Sequence, residues 1–122
     1  MVIKVPVSIG EVLDKISILK IKSSRITDTN KLDNVNRELE YLNACAEGFR
    51  LPELELRLKE VNEQLWDVED ALRVHESKSD FGDEFIRLAR SVYVLNDERA
   101  RIKKEINIQV GSELVEEKSY GT

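Results

Sequence analysis

A chain of 122 residues has the length of one domain, 1–122, and can bury only a modest core. Its 35% charged residues, five glycines and two prolines favour helices joined by short connections, and a formal net charge of -5 works against non-specific binding to nucleic acid or an anionic membrane. The one cysteine, Cys45, excludes an intrachain disulfide and a cysteine-cluster metal site. With no membrane-length apolar run and no signal-like start, the expected compartment is the cytoplasm.

Residues 2–7 alternate Val2, Lys4 and Pro6 with Ile3, Val5 and Val7, which predicts a short strand or extended arm kept to a sheet edge by Pro6. The next helix opens with Ser8 as cap and Glu11 three residues on, a capping-box spacing. Ile9, Leu13, Ile16 and Leu19 share one face, and Val12, Ile18 and Ile21 widen it. At ~25 cal/mol per Å2 so broad an apolar surface must be covered, by the rest of the chain or by a second copy. Thr27-Asp28-Thr29-Asn30 offers a turn and new caps after Arg25. A second helix carries Leu32, Val35, Leu39, Leu42 and Ala46, and Gly48 stops it.

Residues 52–111 carry the strongest signal. Leu54, Leu58, Val61, Leu65, Val68 and Leu72 step by three and four, as do Phe81, Phe85, Leu88, Val92, Leu95, Ile102 and Ile106 once Arg99 is counted at its place in the stripe. The polar stretch at 77–80 divides them and ends in Asp80, a strong N-cap type. The pattern predicts a long antiparallel helical hairpin, coiled-coil-like. In that pairing Arg57 meets Glu98 or Glu105, and Glu55 meets Lys103, so opposite charges flank the seam. Residues 1–31 hold six basic and three acidic side chains, and residues 32–80 six basic and thirteen acidic, so the first helix should be drawn to the acidic middle. Gly111 ends the last helix. Residues 112–122 form a tail whose Leu114, Val115 and Tyr120 could pair it with the N-terminal arm as a second short strand. The expected fold is all-α, with the hairpin inside a three- to four-helix bundle and two short terminal strands at most.

Arg99 stands at a seam position that the pattern wants apolar. A buried guanidinium needs a carboxylate or an anionic ligand, since leaving it unpaired costs ~3–5 kcal/mol. Either it binds an anion in a bundle cavity, or its stem packs on Leu58 while its head reaches a glutamate; the second is the commoner outcome. His75, the only histidine, falls one turn before the hairpin loop, where its charge suits the negative helix end. Acidic pairs recur at helical spacing: Glu11 with Asp14, Glu60 with Glu63, Asp67 with Asp70. Two such pairs on neighbouring helices can hold magnesium, but a solvated face accounts for them as well, and no metal or other cofactor is expected. Arg87, Arg90, Arg101 and Lys104 read as a soluble ridge. Trp66, Tyr93 and Tyr41 lie just off the apolar stripes and are the most interaction-like residues. Cys45, between Ala44 and Ala46, reads as a small packing residue. No Gly-rich phosphate loop or Ser/His/Asp set appears.

Three stretches carry a resemblance: Ile9-Gly10-Glu11 through Asp14-Lys15 to Lys22, then residues 85–107 with Leu-Ala-Arg-Ser-Val-Tyr and Asn-Asp-Glu-Arg-Ala-Arg, and last residues 111–120. Together they resemble a family of short uncharacterised α-helical proteins of bacteria and bacteriophages, a resemblance that spans nearly the whole chain and implies no catalytic residue. Asp97-Glu98-Arg99 on a long helix is also similar to the all-helical chorismate mutases, with Lys15 or Lys22 beside Arg99 as the only further basic groups to propose. Two functions follow as expectations. One is a non-catalytic helical interaction or scaffold module, homodimeric through part of the first helix, with a protein partner besides. The other is a small bundle enzyme or binder of a phosphate- or carboxylate-bearing ligand, using Arg99, Lys15, Glu11, Asp14 and His75.

Overall fold

The computed structural model describes residues 1–111. Helix α1 runs Ile9–Arg25, α2 Thr29–Cys45, α3 Pro52–Ser77 and α4 Asp83–Val110. Half of the expected capping box forms at the start of α1: the Ser8 hydroxyl accepts from the Glu11 N–H at 3.1 Å, while the Glu11 carboxylate turns to Lys103 instead of reaching back to Ser8. Replacing Ser8 by alanine orphans that donor, so Ser8→Ala should cost ~1 kcal/mol, read as a lowered urea midpoint at unchanged slope.

α3 and α4 form the antiparallel hairpin that the apolar spacing predicts, and Arg57 reaches both Glu105 (3.2 Å) and Glu98 (3.4 Å) across it. Pro52 sits in the first turn of α3 with Glu53 and Glu55, where a missing N–H costs nothing and negative charge is favoured. The loop turns through Ser79 at φ 51°, and Gly111 closes α4 at φ 68° in the left-handed region. Asp80 does not cap α4 as expected. Gly82 takes that place, while Asp80 faces His75 Nδ1 at 3.2 Å and accepts from the Gly82 N–H at 3.3 Å.

The expected strand at residues 2–7 does not form: all six are exposed, and among the described residues no second strand lies beside them. The tail strand falls at 112–122, outside the described residues.

α1 lies across the lower half of the hairpin, antiparallel to α4 and in contact with every other helix. There Leu13, Ile16, Leu58, Ile102 and Ile106 are at most 1% exposed, and Leu54, Val61 and Ala46 complete the core. The broad face of α1 is therefore consumed inside one chain rather than left for a second copy. α2 rests on α1 alone and has no buried residue of its own. Cys45 is exposed; Ala46 is the residue that packs.

With 17 residues α1 is ~25 Å long, against ~40 Å for the 26- and 28-residue hairpin arms. Its last residue, Arg25, reaches Asp67 at 2.5 Å with its guanidinium 5.6 Å above the Trp66 ring. Above that point no third helix covers the hairpin among the described residues. Leu65, Leu72, Val92 and Leu95 are consequently only half-buried.

Candidate functional site

The opening of α1, from Gly10 to Asp14, faces three successive turns of α4, and each meeting is polar. The Gly10 N–H donates to Asn107 Oδ1 at 2.7 Å. One turn on, Lys103 Nζ lies 2.8 Å from Glu11 Oε2. One turn further, the Arg99 guanidinium grips Asp14: Nε donates to Oδ1 at 2.9 Å and a terminal nitrogen to Oδ2. α3 joins at the third rung, where Asn62 Nδ2 donates to Asp14 Oδ1 (2.9 Å) and to Ser17 Oγ (2.8 Å). Ser17 in turn donates to the Asp14 carbonyl at 2.7 Å. Asp14 is 0% exposed, and Asn107, Ser17, Asn62 and Lys103 are buried with it.

Gly10 makes the close approach possible. A β-carbon there would stand 2.6 Å from the Lys103 carbonyl and 2.9 Å from Asn107 Oδ1, nearer than carbon and oxygen tolerate. A larger residue would push α1 off α4 and open the Gly10–Asn107 bond.

Chemically the cluster is a clamp. Both Asp14 oxygens are engaged and shut off from water, so the carboxylate cannot take a proton from a substrate. Arg99 is fixed by the fork-to-fork geometry in which guanidinium and carboxylate bind most strongly. Two grooves open on either side of Ile18, and Arg99 lines both. One, of about 310 Å3, lies among Glu11, Lys15, Lys22 and Glu38; the other, of about 470 Å3, lies among Ile21, Asn62, Trp66, Arg73 and Asn96.

Of the five residues offered as a ligand set, Glu11, Asp14, Lys15 and Arg99 come together and His75 does not. His75 sits at the hairpin tip against Asp80 and the edge of Phe85. The expected glutamate partner of Arg99 is an aspartate, Asp14. The expected Glu55–Lys103 pair is absent, because Lys103 turns to Glu11 while Glu55 binds Arg50 and the Leu51 N–H. Asp67 takes Arg25 and Glu63 takes Lys59 at 3.6 Å, so these acids serve ion pairs. Among the described residues no group of three or more His, Cys, Asp or Glu side chains is placed to hold a metal. Arg101 chiefly, and Arg57 with it, hold the Glu98 carboxyl below its usual range. Trp66 is half-buried under Arg25, whereas Tyr41 and Tyr93 are 53% and 58% exposed. Gly10, Ser17, Asn62, Lys103 and Asn107 are the participants that spacing alone passed over.

Fold and cluster define a small all-α bundle, four helices among the described residues, whose first helix is pinned to a long hairpin by buried charge. No helix among the described residues is long and apolar enough to cross a membrane. The chain belongs to a family of unknown function, DUF6165, whose model matches residues 3–122. No curated protein and no solved structure matches it.

Proposed function

We propose that this protein is a non-catalytic helical interaction module of the cytoplasm that self-associates and presents its hairpin to a partner. The bacterial or phage setting implied by the resemblance fits such a module. The observation that carries this is the bare upper half of the hairpin, where Val74, Phe81, Ile86, Tyr93 and Val94 are 50% to 58% exposed. Single exposed apolar residues are ordinary, but five on one uncovered segment mark an interaction surface. A clamp that spends five buried polar side chains on fixing α1 supports the same view, because it holds the hairpin rigid from below.

Light scattering on the full chain tests this directly. The expected solution mass is twice 14.1 kDa, and one chain's mass at every concentration would overturn self-association. A second reading, a binder of a phosphate- or carboxylate-bearing ligand, is favoured by the two grooves that meet at Arg99. Its test is a thermal shift with inorganic phosphate or small carboxylates that disappears in Arg99→Met.

A further inference from the structure

Opposite its core stripe, α4 carries a second stripe at the same three-four spacing: Ile86, Arg90, Tyr93, Asp97, Ala100 and Lys104. Ile86 and Tyr93 are 51% and 58% exposed, Arg90 is exposed, and Asp97 and Ala100 are half-covered. The neighbouring cations have partners within the chain, Arg87 with Glu84 and Arg101 with Glu98. Arg90 and Asp97, one heptad apart on the outward stripe, form no ion pair among the described residues.

We propose that this stripe is a homodimer seam in which two copies of α4 pack antiparallel across a two-fold axis at Tyr93. The inference rests on the self-associating reading above and gives it a geometry. Reversal about Tyr93 brings residue 93 - n against residue 93 + n. Tyr93 then meets Tyr93 of the partner subunit, and the bulky Ile86 meets Ala100 of the partner subunit, a large side chain facing a small one. Arg90 comes within one residue's rise of Asp97 of the partner subunit, and the symmetry repeats that pair. Asp83 likewise approaches Lys104 of the partner subunit. A parallel arrangement sets Arg90 against Arg90, Asp97 against Asp97 and Lys104 against Lys104, so the charges select the antiparallel one. The seam lies on the face of α4 turned away from the α3 contact, so pairing leaves the hairpin and the clamp intact.

Charge reversal decides the matter. Arg90→Asp and Asp97→Arg should each weaken dimerisation by about tenfold or more, measured by sedimentation, with helical circular dichroism and melting of the monomer unchanged. Mixing the two variants, or combining both changes in one chain, should restore wild-type affinity. Arg90→Lys should stay within a few-fold of wild type. A dimer indifferent to both reversals overturns the α4 seam while leaving self-association standing. Reversals that weaken the dimer without rescue in the mixture overturn the Arg90–Asp97 pairing, and a wild-type chain that is monomeric throughout overturns both proposals.

Discussion

Asp14→Ala should be among the most damaging single changes in this chain, costing ~3–5 kcal/mol of folding stability. The carboxylate is wholly buried and receives three hydrogen bonds, from Arg99 twice and from Asn62. Removing it leaves a guanidinium only 28% exposed and an Asn62 amide reduced to its bond with Ser17. Against a total of ~5–15 kcal/mol for a domain of this size, such a loss unfolds a large fraction of molecules near the working temperature. The melting temperature should fall by roughly 10–20 °C. The control is the pair replaced together: Asp14→Leu with Arg99→Leu removes both charges and should recover most of the loss, because apolar side chains of similar volume often substitute for a buried ion pair at little cost. If Asp14→Ala melts like the wild type, the clamp holds nothing.

Gly10→Ala should also destabilise, by ~1–3 kcal/mol, and the sign is the informative part. Within an ordinary helix the same change stabilises by ~0.5–1 kcal/mol, since alanine loses less backbone freedom on folding. At Gly10 the added methyl meets backbone, the Lys103 carbonyl at 2.6 Å, which cannot swing aside as a flexible side chain would. α1 must retreat, stretching the 2.7 Å bond to Asn107. A guanidinium melt of Gly10→Ala and, beside it, of an exposed control such as Asn34→Ala separates the two outcomes. A stabilised Gly10→Ala would mean that α1 is not held where these contacts place it.

The hairpin was legible because its information is local: apolar residues at steps of three and four declare a face, and opposite charges at matching levels declare the direction of pairing. Arg57 with Glu98 and Glu105 followed from that geometry. The clamp was only half legible. Arg99 announced that it needed a carboxylate, but its partner lies 85 residues away, and no spacing rule links α1 to α4. Asp14 and Asn62 stand beside Leu13 and Val61 at the margins of apolar stripes, where a polar residue ordinarily reads as solvent-facing. The missed signal was that α1 is apolar around most of its circumference. A polar residue on such a helix is surrounded by protein and needs a fixed partner. Gly10 offered a similar sign, as a flexible residue in the first turn of an otherwise well-capped helix. The arm failed as a strand for a plain reason: alternation describes a residue pattern, and a sheet also needs a neighbour.

The order in which the clamp's two sides leave the ribosome has a cost. The bonds that seat α1 join residues 85 and 97 positions apart, so α1, made well before α4, finds its place only once α4 is present. Until α4 has emerged, Leu13 and Ile16 have only α2 and part of α3 for company, and the carboxylate of Asp14 remains in water. Through the making of the three later helices α1 thus carries an uncovered oily ridge, and its folding waits on a slow kind of event, the closure of a loop 85 to 97 residues long.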